Sequence, residues 1–112
     1  MNKASLLLLL AASFSAAAGQ VLFKFGAHGH VRPLDFLNLP IVAGLVFYVL
    51  GTGIWIYVLS YEKLTNVYAF TALTFVLVYL AGVFLIGEKI ALSAFIGIVL
   101  VLAGLYLIVA QP

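Results

Sequence analysis

Between Lys3 and Lys24 the chain reads ASLLLLLAASFSAAAGQVLF, residues 4–23, twenty consecutive residues without a charge. An α-helix rises 1.5 Å per residue and the hydrocarbon layer is about 30 Å thick, so roughly twenty apolar residues cross it once. Working outward, the same uncharged run recurs at residues 41–61, 64–87 and 90–112, of 21, 24 and 23 residues. Only 7% of the 112 residues are charged, against about 25% in a soluble domain. The runs do not alternate in polarity as barrel strands would. Backbone polar groups in lipid must therefore be satisfied within each segment. We expect an all-α membrane protein with four transmembrane helices, at about 4–25, 41–60, 65–86 and 90–110, forming one domain over residues 1–112.

The first run has the outline of a secretory signal: Lys3, a leucine run over residues 6–10, and Ala16-Ala17-Ala18 as a cleavage motif. The apolar stretch continues through Val21-Leu22-Phe23, however, and that length makes it a span. Residues 24–40 form the one long connection, broken by Gly26, Gly29, Pro33 and Pro40. The other two turns centre on Glu62-Lys63 and Glu88-Lys89, so consecutive helices there are antiparallel neighbours. One membrane face carries Lys3 and Lys63, the other Lys24, Arg32 and Lys89. Basic residues normally mark the cytoplasmic side; this near balance leaves insertion both ways round, or a partner that fixes it.

The composition excludes much chemistry. Without cysteine there is no disulfide, thiolate metal site or cysteine nucleophile. Two histidines and three carboxylates are too few for a hydrolytic site, so no enzyme and no cofactor is expected. His28 and His30 make only a weak metal pair in a glycine-bearing loop. The net charge of +2 comes with no basic cluster, so nucleic acid is not a partner.

Polar groups inside the spans fall on stripes. Ser13, Ala17, Gln20 and Lys24 share one face of the first helix, with Lys24 at the far rim. Either Lys24 snorkels to water, or Gln20 and Lys24 line a polar mouth that attracts an anion such as phosphate. Tyr48, Thr52 and Trp55 share a face of the second helix; Tyr68, Thr71, Ala72, Phe75 and Tyr79 share one of the third. These stripes build either a pocket that is apolar yet able to hydrogen-bond or an interfacial aromatic belt with core filling. Gly97 and Gly104, seven apart in the fourth helix, form a flat stripe where another helix approaches closely. Glu88, Lys89, Lys24, Arg32 and Asp35 crowd one face, either salt-bridged among themselves or as a charged vestibule.

Ala18-Gly19-Gln20-Val21-Leu22-Phe23-Lys24, Tyr68-Ala69, Gly87-Glu88 and Gly97 with Gly104 together resemble the drug/metabolite transporter superfamily over nearly the whole chain, residues 26–38 excepted. Within it the chain is similar to the small multidrug resistance family. It is more similar still to the subunits that flip aminoarabinose-phosphoundecaprenol and to related EamA-like half-transporters. Small multidrug transporters carry a buried glutamate two turns before the position of Lys24, for proton-coupled exchange of cations; here that residue is Ala16. No acidic residue lies in any span, and intramembrane ion coupling needs a buried ionisable group.

The resemblance implies a dimer, antiparallel with itself or paired with a similar small subunit, in a bacterial inner membrane. It implies a flippase moving a phosphate-bearing lipid or lipid-linked aminosugar between leaflets by alternating access. Gln20, Lys24, Tyr68 and Glu88 are carried over as candidate headgroup contacts; Trp55 and Thr71 are added from their stripes, Arg32 as a vestibule residue, and Gly97 and Gly104 for dimerisation. Export of small cations or drugs is the alternative within transport. A non-transporting accessory subunit of a membrane glycosyltransferase or transporter is the alternative outside it.

Overall fold

The computed structural model describes residues 1–111, whose regular structure is all helical. Four segments are long and apolar enough to cross a membrane: Lys3–Ala27, Leu39–Leu59, Leu64–Ile86 and Leu92–Val109. The chain is a multi-pass membrane protein. We label Lys3–Ala27 α1 and Leu39–Leu59 α2; the third span comprises α3 (Leu64–Tyr68), α4 (Phe70–Ala81) and a π-type turn over Gly82–Ile86, and Leu92–Val109 is α5.

Two asparagines start the first two spans. Asn2 Oδ1 accepts the Ser5 N–H at 2.8 Å, and Asn38 Oδ1 accepts the Ile41 N–H at 3.1 Å, each satisfying a donor the helix cannot. Asn38 does more, because its amide also donates to the Gly26 carbonyl at 2.8 Å and the Asp35 carbonyl at 2.9 Å. It thus ties the end of α1 to the start of α2. Asn38→Ala is expected to cost about 1–2 kcal/mol through the lost cap and to loosen this loop. Thermal unfolding in detergent reads the first effect and protease sensitivity near residue 30 the second; an unchanged melt would contradict it.

The closest packing in the molecule joins α1 to α2, and glycine makes it so. A Cβ at Gly19 would lie 2.8 Å from the Gly44 carbonyl oxygen, and one at Gly44 would lie 2.9 Å from the Gly19 carbonyl oxygen. A Cβ at Gly51 would lie 2.9 Å from the Ala12 carbonyl oxygen. Ser15 Oγ adds an interhelical hydrogen bond to the Phe47 carbonyl at 2.6 Å. In lipid, such backbone contact and hydrogen bonding hold helices together, because apolar burial gives little advantage there.

The third span packs mainly on α1, and meets α2 chiefly through α3. A core of Leu9, Val58, Val67 and Phe70 closes the bundle at the end that carries Met1 and Glu62, with Leu105 and Val109 of α5 laid against it. Toward the other end the third span and α5 part from the α1–α2 pair, which stays closely packed. Beyond Val76 no residue of the third span is buried, and in α5 only Ile98 is. The chain is 18 Å across its thinnest dimension, about two helix diameters.

Two features add detail to the sequence expectation. The third span, expected to be one helix over 65–86, is interrupted at Ala69 and loosened at its end. At the interruption the Ala72 N–H reaches back only three residues, to the Ala69 carbonyl at 3.1 Å. At the far end the Glu88 N–H reaches the Gly82 carbonyl at 3.0 Å, a closure that needs Gly87 at φ +84°. Gly97 and Gly104, expected on a dimerisation face, are uncovered within the chain: a Cβ at either would meet nothing within 4 Å.

Candidate functional site

Because α2 and α4 both lean on α1 but part from each other, a cleft of about 220 Å³ opens between the three. Its floor is α1, through Leu9, Ala12, Ser13 and Ala16; its walls carry Tyr48, Thr52 and Trp55 from α2 and Phe70, Thr71 and Thr74 from α4. No acidic or basic side chain lines it.

The hydroxyls are disposed in a definite sense. Ser13 Oγ and Thr74 Oγ1 both donate to the Phe70 carbonyl, each at 3.4 Å, and Thr71 Oγ1 donates to the Tyr68 carbonyl at 2.7 Å. A hydroxyl has one proton and two lone pairs, so these three groups spend their protons on backbone and retain acceptor capacity. Thr74 bonding back four residues also bends a helix locally, next to the Ala69 interruption. Trp55 is held by its indole N–H, which donates to the Val67 carbonyl at 3.4 Å, and by the Tyr68 ring, centroids 6.1 Å apart. The cleft thus offers hydroxyl acceptors beside aromatic faces, suited to a neutral, hydroxylated group.

The structure brings Trp55 and Thr71 to this cleft, with the Tyr68 ring tilted against Trp55 and itself 59% exposed. It does not bring the others there. Gln20 and Lys24 are exposed on α1 beyond the cleft. Arg32 is exposed in the α1–α2 loop, and exposed Glu88 follows the third span. The Glu88 carboxylate folds back over Gly82, where a Cβ would lie 3.3 Å from Oε1. Among the described residues no cluster of three or more metal-ligating groups occurs.

Tyr48 and Thr52 belong to the α2 stripe read from the sequence. Phe70 and Thr74 were not singled out, although Thr71 and Thr74 stand three apart and so share a helix face. Ala16, the position at which the small multidrug resemblance expects a glutamate, lies in the floor and gives the cleft a methyl where that chemistry needs a carboxylate.

A model of the EamA-like transporter family matches residues 38–110. Over 107 residues the chain is 31% identical to the probable 4-amino-4-deoxy-L-arabinose-phosphoundecaprenol flippase subunit ArnE of Hamiltonella defensa subsp. Acyrthosiphon pisum; the alignment covers 91% of this chain and 93% of that one. With four spans, an uncharged cleft and both matches running nearly its full length or most of it, the chain belongs to the EamA-like transporter family.

Proposed function

We propose that this protein is one half of a bacterial inner-membrane flippase that moves a phosphate-bearing lipid-linked sugar, with an aminosugar headgroup as the favoured case, between leaflets. The observation that carries the reading is the cleft: a neutral, hydroxyl-lined, aromatic-walled notch, without the acidic group a cation carrier needs. Similarity to a flippase subunit named for an aminoarabinose-linked lipid supports the substrate class.

The dimensions support a second subunit. A cavity of about 220 Å³ falls below the roughly 300–1,000 Å³ of small-molecule sites, and a body two helices thick encloses no passage. A second small chain, identical and antiparallel or merely similar, completes the groove, with Gly97 and Gly104 of the uncovered α5 on the pairing face. The lipid tail stays in the bilayer while the headgroup crosses. Lys24, with Arg32, neutralises the phosphate at one rim; Gln20 and Tyr68 bond the sugar; Trp55 and Thr71 receive it midway; and Glu88 takes an amine. Rocking of one subunit against the other exposes the groove to each side in turn.

The test is reconstitution of the protein, alone and with any small subunit that copurifies, into vesicles holding a fluorescent lipid-linked sugar in one leaflet. Membrane-impermeant quenching then reads the crossing rate. We expect protein-dependent crossing and a roughly ten-fold slower rate in Trp55→Ala, the loss of one good packing contact in the groove. No acceleration in either preparation overturns the transport reading.

A further inference from the structure

A second cavity, of about 350 Å³, lies at the opposite end from Lys24 and Glu88, where the turn between α2 and α3 meets the end of α5. Its wall is mainly polar and includes Met1, which carries the N-terminal ammonium, with Tyr61, Glu62, Lys63, Asn66 and Gln111. We propose that it is a headgroup-binding station for a ligand that carries both an ammonium and a phosphate, with Glu62 as the amine acceptor and Lys63 as the phosphate partner. This deepens the flippase reading and rests on it for the nature of the ligand.

Among the described residues Glu62 is the one side-chain carboxylate on its side of the membrane, since Asp35 and Glu88 both lie on the other. It is also the carboxylate that the fold holds most firmly. Ser5 is wholly buried, and its Oγ lies 2.8 Å from Glu62 Oε1, 3.0 Å from Asn2 Oδ1 and 3.3 Å from the Tyr61 hydroxyl. Ser5 has a single hydroxyl proton. Asn2 Oδ1 already accepts the Ser5 N–H at 2.8 Å, and the carboxylate is both nearer and charged, so the proton goes to Glu62. One carboxylate oxygen is thereby fixed, and the other is left for a donor from the cavity.

The remaining wall complements a sugar. Gln111 Nε2 donates to Asn66 Oδ1 at 3.1 Å, which orients both amides and leaves the Asn66 amide as donor and the Gln111 carbonyl as acceptor. The cavity's volume falls within the range of small-molecule sites. A carboxylate and an ammonium on adjacent residues, with an oriented donor and acceptor between them and α5, match a zwitterionic aminosugar phosphate better than a purely anionic or cationic ligand. The uncharged cleft then lies between two charged rims, and an amine finds a carboxylate at each.

The test is equilibrium binding to the full chain in lipid nanodiscs, with two water-soluble probes: 4-amino-4-deoxy-L-arabinose 1-phosphate and L-arabinose 1-phosphate, which has a hydroxyl in place of the amine. The wild type should bind the amine probe about ten-fold tighter, the size a single charge-assisted hydrogen bond supports. Glu62→Gln keeps an acceptor for Ser5 but no charge and, made in a Glu88→Gln background so that the other rim offers no carboxylate, should erase that preference. Ser5→Ala keeps the charge and should retain it, while Lys63→Ala should weaken both probes alike. Equal binding of the two probes by Glu88→Gln, or an amine preference that survives when Glu62→Gln is added to it, overturns the site. Intact amine-selective binding without lipid crossing in vesicles would instead sink the flippase reading and leave the site standing.

Discussion

Gly19→Val should drive α1 off α2 and destabilise the protein by about 3 kcal/mol, the upper range of overpacking. The obstacle is backbone: the first added carbon would sit 2.8 Å from the Gly44 carbonyl oxygen and 3.3 Å from the Tyr48 amide nitrogen. Neither atom can swing aside as a side-chain tip can. Opposing this, removing a helical glycine gains up to about 1 kcal/mol of propensity, and that sum leaves Gly19→Ala milder than valine. Unfolding in mixed detergent micelles, followed by circular dichroism, reads the series. Gly97→Ala and Gly104→Ala supply the contrast, since their new methyls meet nothing in the chain. Those variants should unfold no earlier than wild type. If they nevertheless stop lipid movement, the α5 face is where the second subunit sits. A Gly19→Val protein as stable as wild type would mean that the helices do not approach as described.

Lys24→Ala should slow movement of a phosphate-bearing lipid by about 10- to 100-fold, the range for losing one hydrogen bond to a charged partner. Lys24→Arg should retain most of the rate. Lys24 has another occupation that must be separated from this one. It lies in the last turn of α1, where a cation favours the helix dipole by about 0.3–1 kcal/mol, and its stem can lie along lipid. That role predicts a small stability loss and no change in crossing rate. The residue is exposed, so the alanine variant should fold, and the two readings part cleanly in one vesicle assay. An unchanged rate leaves Lys24 as a snorkel and removes it from the phosphate path.

The spans were legible because charge is so scarce that its spacing alone marks the membrane boundaries. The α2 stripe was legible too, since Tyr48, Thr52 and Trp55 at helical spacing do face a common cleft. The packing glycines were not. Gly44 and Gly51 are seven apart, as are Gly97 and Gly104, and one pair meets a neighbouring backbone while the other meets nothing. Small residues permit close approach without saying which helix arrives, so only tertiary contact distinguishes the pairs. The interruption at Ala69 was equally silent, because alanine is the best helix former; at the break the Tyr68 carbonyl accepts the Thr71 hydroxyl at 2.7 Å while the Ala72 N–H turns to Ala69. Gln20 and Lys24 do share a stripe with Ser13 and Ala17. The stripe outruns its cover, though, because the third span leaves α1 after Val76, and periodicity carries no information on where a neighbour departs.

Backbone-to-backbone contact along α1 and α2 has a mechanical outcome. Interiors packed this closely deform little, so the first hairpin acts as a stiff spar. The second hangs from it at one end, by the cluster around Leu9 and Phe70, and is compliant everywhere else. Movement of the second hairpin against that spar is therefore expected to pivot about the anchored stretch from Val67 to Phe70.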